Sequence, residues 1–386
     1  MKREPDKVFI GIVFFLVAMG ILMIFDASSA RAYVNFNGDY FYYLKHHIIR
    51  LAISVMIFLF FYRIDYTRLR EYSNLMLLFA IVSLICLAGL KFTRFGSHRV
   101  IRNMYGFQPS EFARLAMIVF LADKLSKSEQ YADDFFQGFA PLISVVIFVV
   151  FLVAIQPSFG MAAVLLAGSL MMLFVGKVRI EHLLAIGLVG LIGVAILLLS
   201  MSDAEHYAVK RLKMFAGEAD KELSFQINHS IAAIATGGPF GRGFGKSVEK
   251  TYLPEAHTDF IFSIIAEEFG FFFSIMVLLA YALLLRRGIM IAFRARDSFG
   301  AYLAFGITAF FFTYITMNIL VTMKLLPTTG IPLPFLSFGG NSLFINMACC
   351  GILLNISRHL KIPLTEPILK GRMGFFTLRE DRDYFV

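Results

Sequence analysis

The sequence has no tryptophan, only three cysteines and few charges for its 386 residues: 16% are Asp, Glu, Lys or Arg, against 58% hydrophobic. A water-soluble domain is usually about a quarter charged. With a mean hydropathy of +0.73, the apolar surplus exceeds what one soluble core can hold, so lipid is the expected solvent. Cys86, Cys349 and Cys350 all fall in apolar runs. That excludes a disulfide framework or cysteine metal centre and reads as small core residues. Without tryptophan, the interfacial aromatic role passes to the 15 tyrosines, Tyr40, Tyr42, Tyr43, Tyr62 and Tyr66 among them. A cleavable signal peptide is not expected, because the first apolar run, about 8–25, is long enough to span and lacks an A-x-A site. Internal repeats and low-complexity segments are absent.

Ten apolar runs approach the roughly 20 residues of a span: about 8–28, 45–62, 73–90, 110–125, 138–156, 158–175, 181–200, 259–285, 300–323 and 338–356. None alternates like a barrel strand. The expected fold is therefore an all-α, polytopic integral membrane protein of about ten transmembrane helices. One long extracytoplasmic loop, about 201–258, joins spans seven and eight. The expected division is a single transmembrane domain over 1–358 and a cytoplasmic tail over 359–386. Spans five and six, separated only by "QPS", form a tight pair. Basic residues cluster at Arg63, Arg68 and Arg70, at Lys124 and Lys127, at Lys177 and Arg179, and at Arg286, Arg287, Arg294 and Arg296. By the positive-inside rule these are cytoplasmic, as are both termini.

Two outer segments, 91–108 and the long loop 201–258, are basic against that trend. Residues 91–108 hold Lys91, Arg94, Arg99 and Arg102 and no acid. They are either a solvated loop or a cradle for phosphate. The stretch "GGPFGRGFGKS", 237–247, invites a nucleotide reading. Walker A spacing fails because its first glycine would be Phe240, and G-x-G-x-x-G fails at Lys246. What remains is a flexible turn whose N–H groups and Lys246 could hold an anion.

Three further stretches carry polar chemistry. In "QPSEFARLA", 108–116, Pro109 and Ser110 suit a helix start, with Ser110 a candidate N-cap. Glu111 and Arg114 are spaced to face each other. They form either a surface salt bridge at a helix end or a site pair looking into the bundle. "LLPTTGIPLPFLSFGGNSL", 325–343, has too many prolines and glycines for regular helix, so at membrane depth it must be buried or line a cavity. In "YLPEAHTDF", 252–260, Asp259 either caps the eighth span or stands at the mouth of a groove. Asp259, Ser263, Glu267 and Gly270 share one helical face, a polar stripe expected to look into the bundle. A carboxylate between desolvation and nearby cations suits a general base.

"KTYLPEAHTDFIFSIIAEEFG", "FQPSEFARL" and "LPTTGIPLPFLSFGGNSL", with "GILLNISR" at 351–358, together resemble the RodA/FtsW/SpoVE (SEDS) family of peptidoglycan polymerases. The resemblance covers about 8–358. It implies a transferase of the outer face of the bacterial inner membrane that joins lipid II units into glycan strands and releases undecaprenyl pyrophosphate. Its implied partners are a class B penicillin-binding transpeptidase and other divisome or elongasome membrane proteins, in membrane lipid, with no nucleic acid. By the family motif Asp259 is the catalytic residue, and Glu111 matches the family's helix glutamate. The expected substrate and phosphate contacts are Arg99, Arg102, Glu111, Arg114, Lys246, Lys250, Glu255, His257, Thr258 and Ser337. Pro109, Ser110, Glu267, Pro334, Gly339 and Gly340 are expected as support. Glu255 either joins the site or balances Lys250. Glu267 and Glu268 are expected beneath the site, one pointing inward and the other towards a neighbouring helix. Mg2+ or Mn2+ is a candidate counter-ion, although the sequence has no metal motif.

The chain departs from the family pattern in four places. Ser158 replaces an Asp, Val100 a Trp, Asn341 a Ser or Thr, and Arg114 a common Lys. "YLPEAHTDF" and "RLKMF" lean towards the FtsW-like division branch, which is preferred, while "TGIPLPF" leans towards elongation. Two other classes fit an outer basic cradle with intramembrane acids: a flippase for a lipid-linked sugar, and a divisome scaffold.

Overall fold

The computed structural model describes residues 4–92, 108–127, 138–156, 158–176, 181–182, 221–254 and 256–360. Among these residues every regular element is helical. The helices are α1 Lys7–Asn35, α2 Tyr42–Arg63, the short α3 Arg68–Glu71, α4 Ser73–Phe92, α5 Pro109–Lys127, α6 Ala140–Ile155, α7 Phe159–Val175, α8 Lys221–Gly237, α9 Ile261–Arg294, α10 Ser298–Thr322 and α11 Gly340–Ser357. Asp6 caps α1, its carboxylate accepting from the Val8 and Phe9 amides at 3.1 Å.

Five helices, α1, α2, α9, α10 and α11, are long and apolar enough to cross a membrane, and α4, α6 and α7 contain shorter apolar stretches. Large apolar side chains stand outward on them: Phe14 is 74% exposed, Met56 62% and Phe271 59%. Such a surface suits lipid and not water. The protein is an all-helical, multi-pass membrane protein.

The described helices fall on nine of the ten expected runs; the seventh run, 181–200, lies almost wholly outside the described residues. Three expectations need correction. The long loop is not all loop: α8 lies inside it, packed along α9. Its apolar residues are too few for the span-length search that located the other helices. α9 runs on to Arg294, so Arg286, Arg287 and Arg294 are helical and not in a connecting loop. Ser110 is the second helical residue behind Pro109 and does not cap α5; the Gln108 carbonyl accepts from Glu111 N at 3.0 Å.

α5 is the axis. Fourteen of its residues are buried, including Glu111, Arg114 and Asp123. It packs on α4, α7, α10 and α11, while α2 lies along α11 and α9 along α10. Small residues allow the close approaches: a Cβ on Gly288 of α9 would lie 2.2 Å from Thr308 Oγ1 of α10. At the end of the bundle carrying Arg63 and Arg70, Asp123 accepts from Arg70, Ser73 and Lys127 at 3.1, 3.1 and 2.9 Å.

Candidate active site

At the opposite end of the bundle two irregular segments meet. The first is the turn 256–260, which precedes α9. Asp259 sits in this turn, half-exposed, and does not cap the helix; Phe260 holds the cap position, with no side-chain bond. The second segment is 328–339. Asn318 of α10 staples the two: its Nδ2 donates to the Asp259 carbonyl at 2.9 Å and to the Ile331 carbonyl at 2.8 Å. Phe338 N donates to the His257 carbonyl at 2.9 Å. Gly330, at φ +70, faces the carboxylate: a Cβ there would lie 3.8 Å from Asp259 Oδ2. The start of α7 closes against the second segment, where a Cβ on Gly160 would strike the Thr329 carbonyl at 2.5 Å.

Segment 328–339 has no helix to satisfy its backbone, so side chains do it. Ser337 Oγ accepts from Leu333 N at 2.8 Å, and Ser337 N donates back to the Leu333 carbonyl at 3.0 Å. Tyr281 of α9 donates its hydroxyl to the Pro334 carbonyl at 2.5 Å. Phe335 takes a left-handed φ of 69° and is buried. Gly339 then caps α11, and Gly340 begins it against the Arg50 side chain. The buried His257 ring packs on Tyr43 and Phe338, at 4.6 and 5.6 Å between ring centres.

Beneath the turn, α9 breaks at Gly270, which has φ 78. The Phe271 and Phe272 amides leave the helix and donate to the carbonyls of Gly238 and Pro239. The carbonyls this frees, on Glu267 and Glu268, accept from Arg242 N and Gly243 N, both at 2.9 Å. The glycine-rich stretch is thus the missing partner of a broken helix. Its later amides serve the two carboxylates. Glu267 accepts from Val248 N at 3.0 Å, Glu249 N at 3.3 Å, Ser247 Oγ at 2.5 Å and Arg242 Nη1 at 3.2 Å. Glu268 accepts from Ser247 N at 3.1 Å and Lys250 Nζ at 3.2 Å. Lys250 also reaches both oxygens of Asp26 on α1, at 2.8 and 2.9 Å.

These features meet a family pattern along nearly the whole chain. The family model described as "Cell cycle protein" (FtsW/RodA/SpoVE) matches residues 6–362. The chain belongs to this family. Stage V sporulation protein E of Bacillus subtilis (strain 168) is 37% identical over 364 residues, covering 93% of this chain and 98% of that one. A probable peptidoglycan glycosyltransferase FtsW of Trichlorobacter lovleyi is 38% identical over 369 residues, covering 94% and 96%. The fold resembles that of a chain in a solved peptidoglycan synthase complex, with TM-score 0.71 and 24% identity, covering 91% and 97%. It also resembles the rod shape determining protein RodA of Thermus thermophilus, with TM-score 0.65 and 22% identity, covering 92% and 98%.

Within this SEDS chain, the structure gathers His257, Thr258 and Asp259 with Pro334, Ser337, Gly339 and Gly340. It puts other expected residues elsewhere. Lys250 is held by Asp26 and Glu268 and is not open to a phosphate. Glu255, expected either in the site or balancing Lys250, lies outside the described residues, as do Arg99, Arg102 and Val100. Lys246 is exposed. Of the 237–247 amides expected to hold an outside anion, that of Ser247 already serves the Glu268 carboxylate, and those of Arg242 and Gly243 serve the freed carbonyls of α9. Neither glutamate points into an open groove; both face the 242–250 segment.

Glu111 and Arg114 face each other as their spacing predicts, at 3.1 Å, in the first two turns of α5 but buried in the core and not on the surface. Arg114 donates to Asn346 Oδ1 of α11 at 2.8 Å and lies 4.4 Å from the ring centre of Tyr314. Tyr314 of α10 donates to Glu111 at 2.9 Å. A phosphate contact from Arg114 would require it to leave this network. Pro109 begins the same helix.

Sequence reasoning missed Asp26, Arg50, Arg242, Ser247, Tyr281 and Asn318. Asp26 and Asn318 carried a signal, each being a polar residue inside an apolar run. Among the described residues no three His, Cys, Asp or Glu side chains converge as a metal site.

Proposed function

We infer that this SEDS protein is a peptidoglycan glycosyltransferase that polymerises lipid II. The observation that carries the reading is the family match over 6–362, joined to a half-exposed carboxylate on a rigidly held turn. Asp259 is the base. It takes the proton from the 4-hydroxyl of the acceptor's GlcNAc, and that oxygen attacks the anomeric carbon of the donor's MurNAc. The bond from that carbon to undecaprenyl pyrophosphate breaks with inversion, and the pyrophosphate leaves with the electron pair. Asn318 and Gly330 support this role: one pins the turn through its backbone and the other leaves room beside the carboxylate. Preorganised geometry of this kind is what a proton transfer requires.

The departing pyrophosphate needs cations. The exposed Lys246 is one, and Arg99 and Arg102 belong to the same proposal. Lys250, Glu267, Glu268 and Asp26 act one layer below, holding the segment that leads into the turn. The protein crosses the bacterial inner membrane about ten times, with both termini cytoplasmic and Asp259 on the outer face. A class B penicillin-binding transpeptidase is its partner, and the division branch is preferred over elongation.

The test is lipid II supplied to the purified protein in detergent, with and without a candidate transpeptidase. Glycan strands are expected. Detergent abolishes sidedness, so a flippase makes none, and a scaffold makes none without another polymerase. No strands under any partner condition would overturn the reading.

A further inference from the structure

We propose that Arg50, in α2, is a binding residue for the pyrophosphate of the lipid-linked substrate. For the identity of that ligand the proposal rests on the polymerase reading above. Among the described residues Arg114, Arg242 and Lys250 each hold a carboxylate within 3.2 Å. Arg50 holds none of the described carboxylates within 4 Å, although it sits eight residues into a membrane-spanning helix and is half-buried. An intramembrane cation without a counter-charge is expensive and marks a ligand path by default.

Its surroundings are those of an anion contact. The guanidinium carbon lies 4.9 Å from the ring centre of Phe338, which fixes the plane of the fork by a cation–π contact. Gly340, the first residue of α11, lies against the same side chain; a Cβ there would sit 2.9 Å from the Arg50 Nε. The positive end of α11 therefore adds to the arginine's field instead of offsetting it. Side chains on a helix lean towards its N-terminus, so Arg50 reaches up from the span towards the start of α2. Tyr43, near that start, packs on His257, two residues before Asp259. Phe338 joins the two sites, carrying Arg50 on its ring and donating its amide to the His257 carbonyl. A phosphate on Arg50 would lie in the same wall as the base. A guanidinium fork binds two phosphate oxygens at once, where a lysine offers a point charge.

The experiment compares wild type, Arg50→Gln, Arg50→Lys and Asp259→Asn, each purified in detergent. Binding of undecaprenyl pyrophosphate is measured directly, with phosphatidylglycerol as the competing source of lipid phosphate. Arg50→Gln is expected to weaken undecaprenyl pyrophosphate binding about tenfold or more, with Arg50→Lys between it and wild type. Asp259→Asn should bind as wild type does. In lipid II polymerisation Arg50→Gln should raise KM far more than it lowers kcat. Equal binding by Arg50→Gln and wild type overturns the proposal, as does an effect on phosphatidylglycerol binding alone. If Arg50→Gln does not fold, an Arg50→Lys variant with wild-type melting temperature and unchanged affinity also overturns it. Because the binding arm needs no turnover, it reads Arg50 even if the protein makes no strands.

Discussion

Two buried ionic networks lie in one bundle, and they are built differently. Around Glu111 and Arg114 every partner is a side chain on a regular helix: Tyr314 of α10 and Asn346 of α11. Around Glu267 and Glu268 most donors belong to an irregular segment, and three are backbone amides, of Ser247, Val248 and Glu249. The first network ties helices that would pack anyway. The second supplies acceptors to backbone that has no helix or sheet of its own. A side-chain network can be exchanged for apolar packing of similar volume. Backbone amides cannot be removed, so their carboxylate has no apolar substitute.

The contrast predicts a ranked series of melting temperatures in detergent. Glu267→Ala should cost most, about 4 kcal/mol or enough to prevent folding, because it leaves buried amides and Arg242 without their acceptor. Gly270→Ala should follow at about 3 kcal/mol, since the position has positive φ and a Cβ would meet Gly241 N at 2.3 Å. Arg114→Met alone should cost a similar amount, but Glu111→Leu with Arg114→Met should return to within about 1 kcal/mol of wild type. If that double variant stays as unstable as Glu267→Ala, the distinction between the two networks fails. The smallest effect belongs to Asp39, where Lys45 at 2.9 Å and the Phe41 amide hold the carboxyl below its ordinary range. A depressed carboxyl stabilises above its unfolded pKa and loses that contribution as pH falls through the folded value. Asp39→Asn should therefore lower the melting temperature slightly at neutral pH, and the difference from wild type should disappear as pH falls below about 4.

Much of the fold was legible because hydropathy alone locates a helix in lipid. The ends of α2, α4, α5 and α10 fall within a few residues of the expected runs. α8 was hidden because it is too polar to register as a span. The break at Gly270 was hidden too: in the sequence it reads as one more small residue on a polar stripe, and only the approach of Gly241 explains it. The turn carrying His257 and Asp259 was legible from its polar residues beside an apolar run. Its supports were not, because Asn318 lies 59 residues from Asp259 and Asp26 lies 224 from Lys250. Separations of that kind leave no periodic trace.

The most direct test of the central claim is lipid II polymerisation by Asp259→Asn, purified with its transpeptidase and compared with wild type at equal melting temperature. The side chain keeps its shape and loses its basicity. The account predicts no glycan strands from the variant and strands from wild type. Strands from both at the same rate would remove Asp259 from the chemistry.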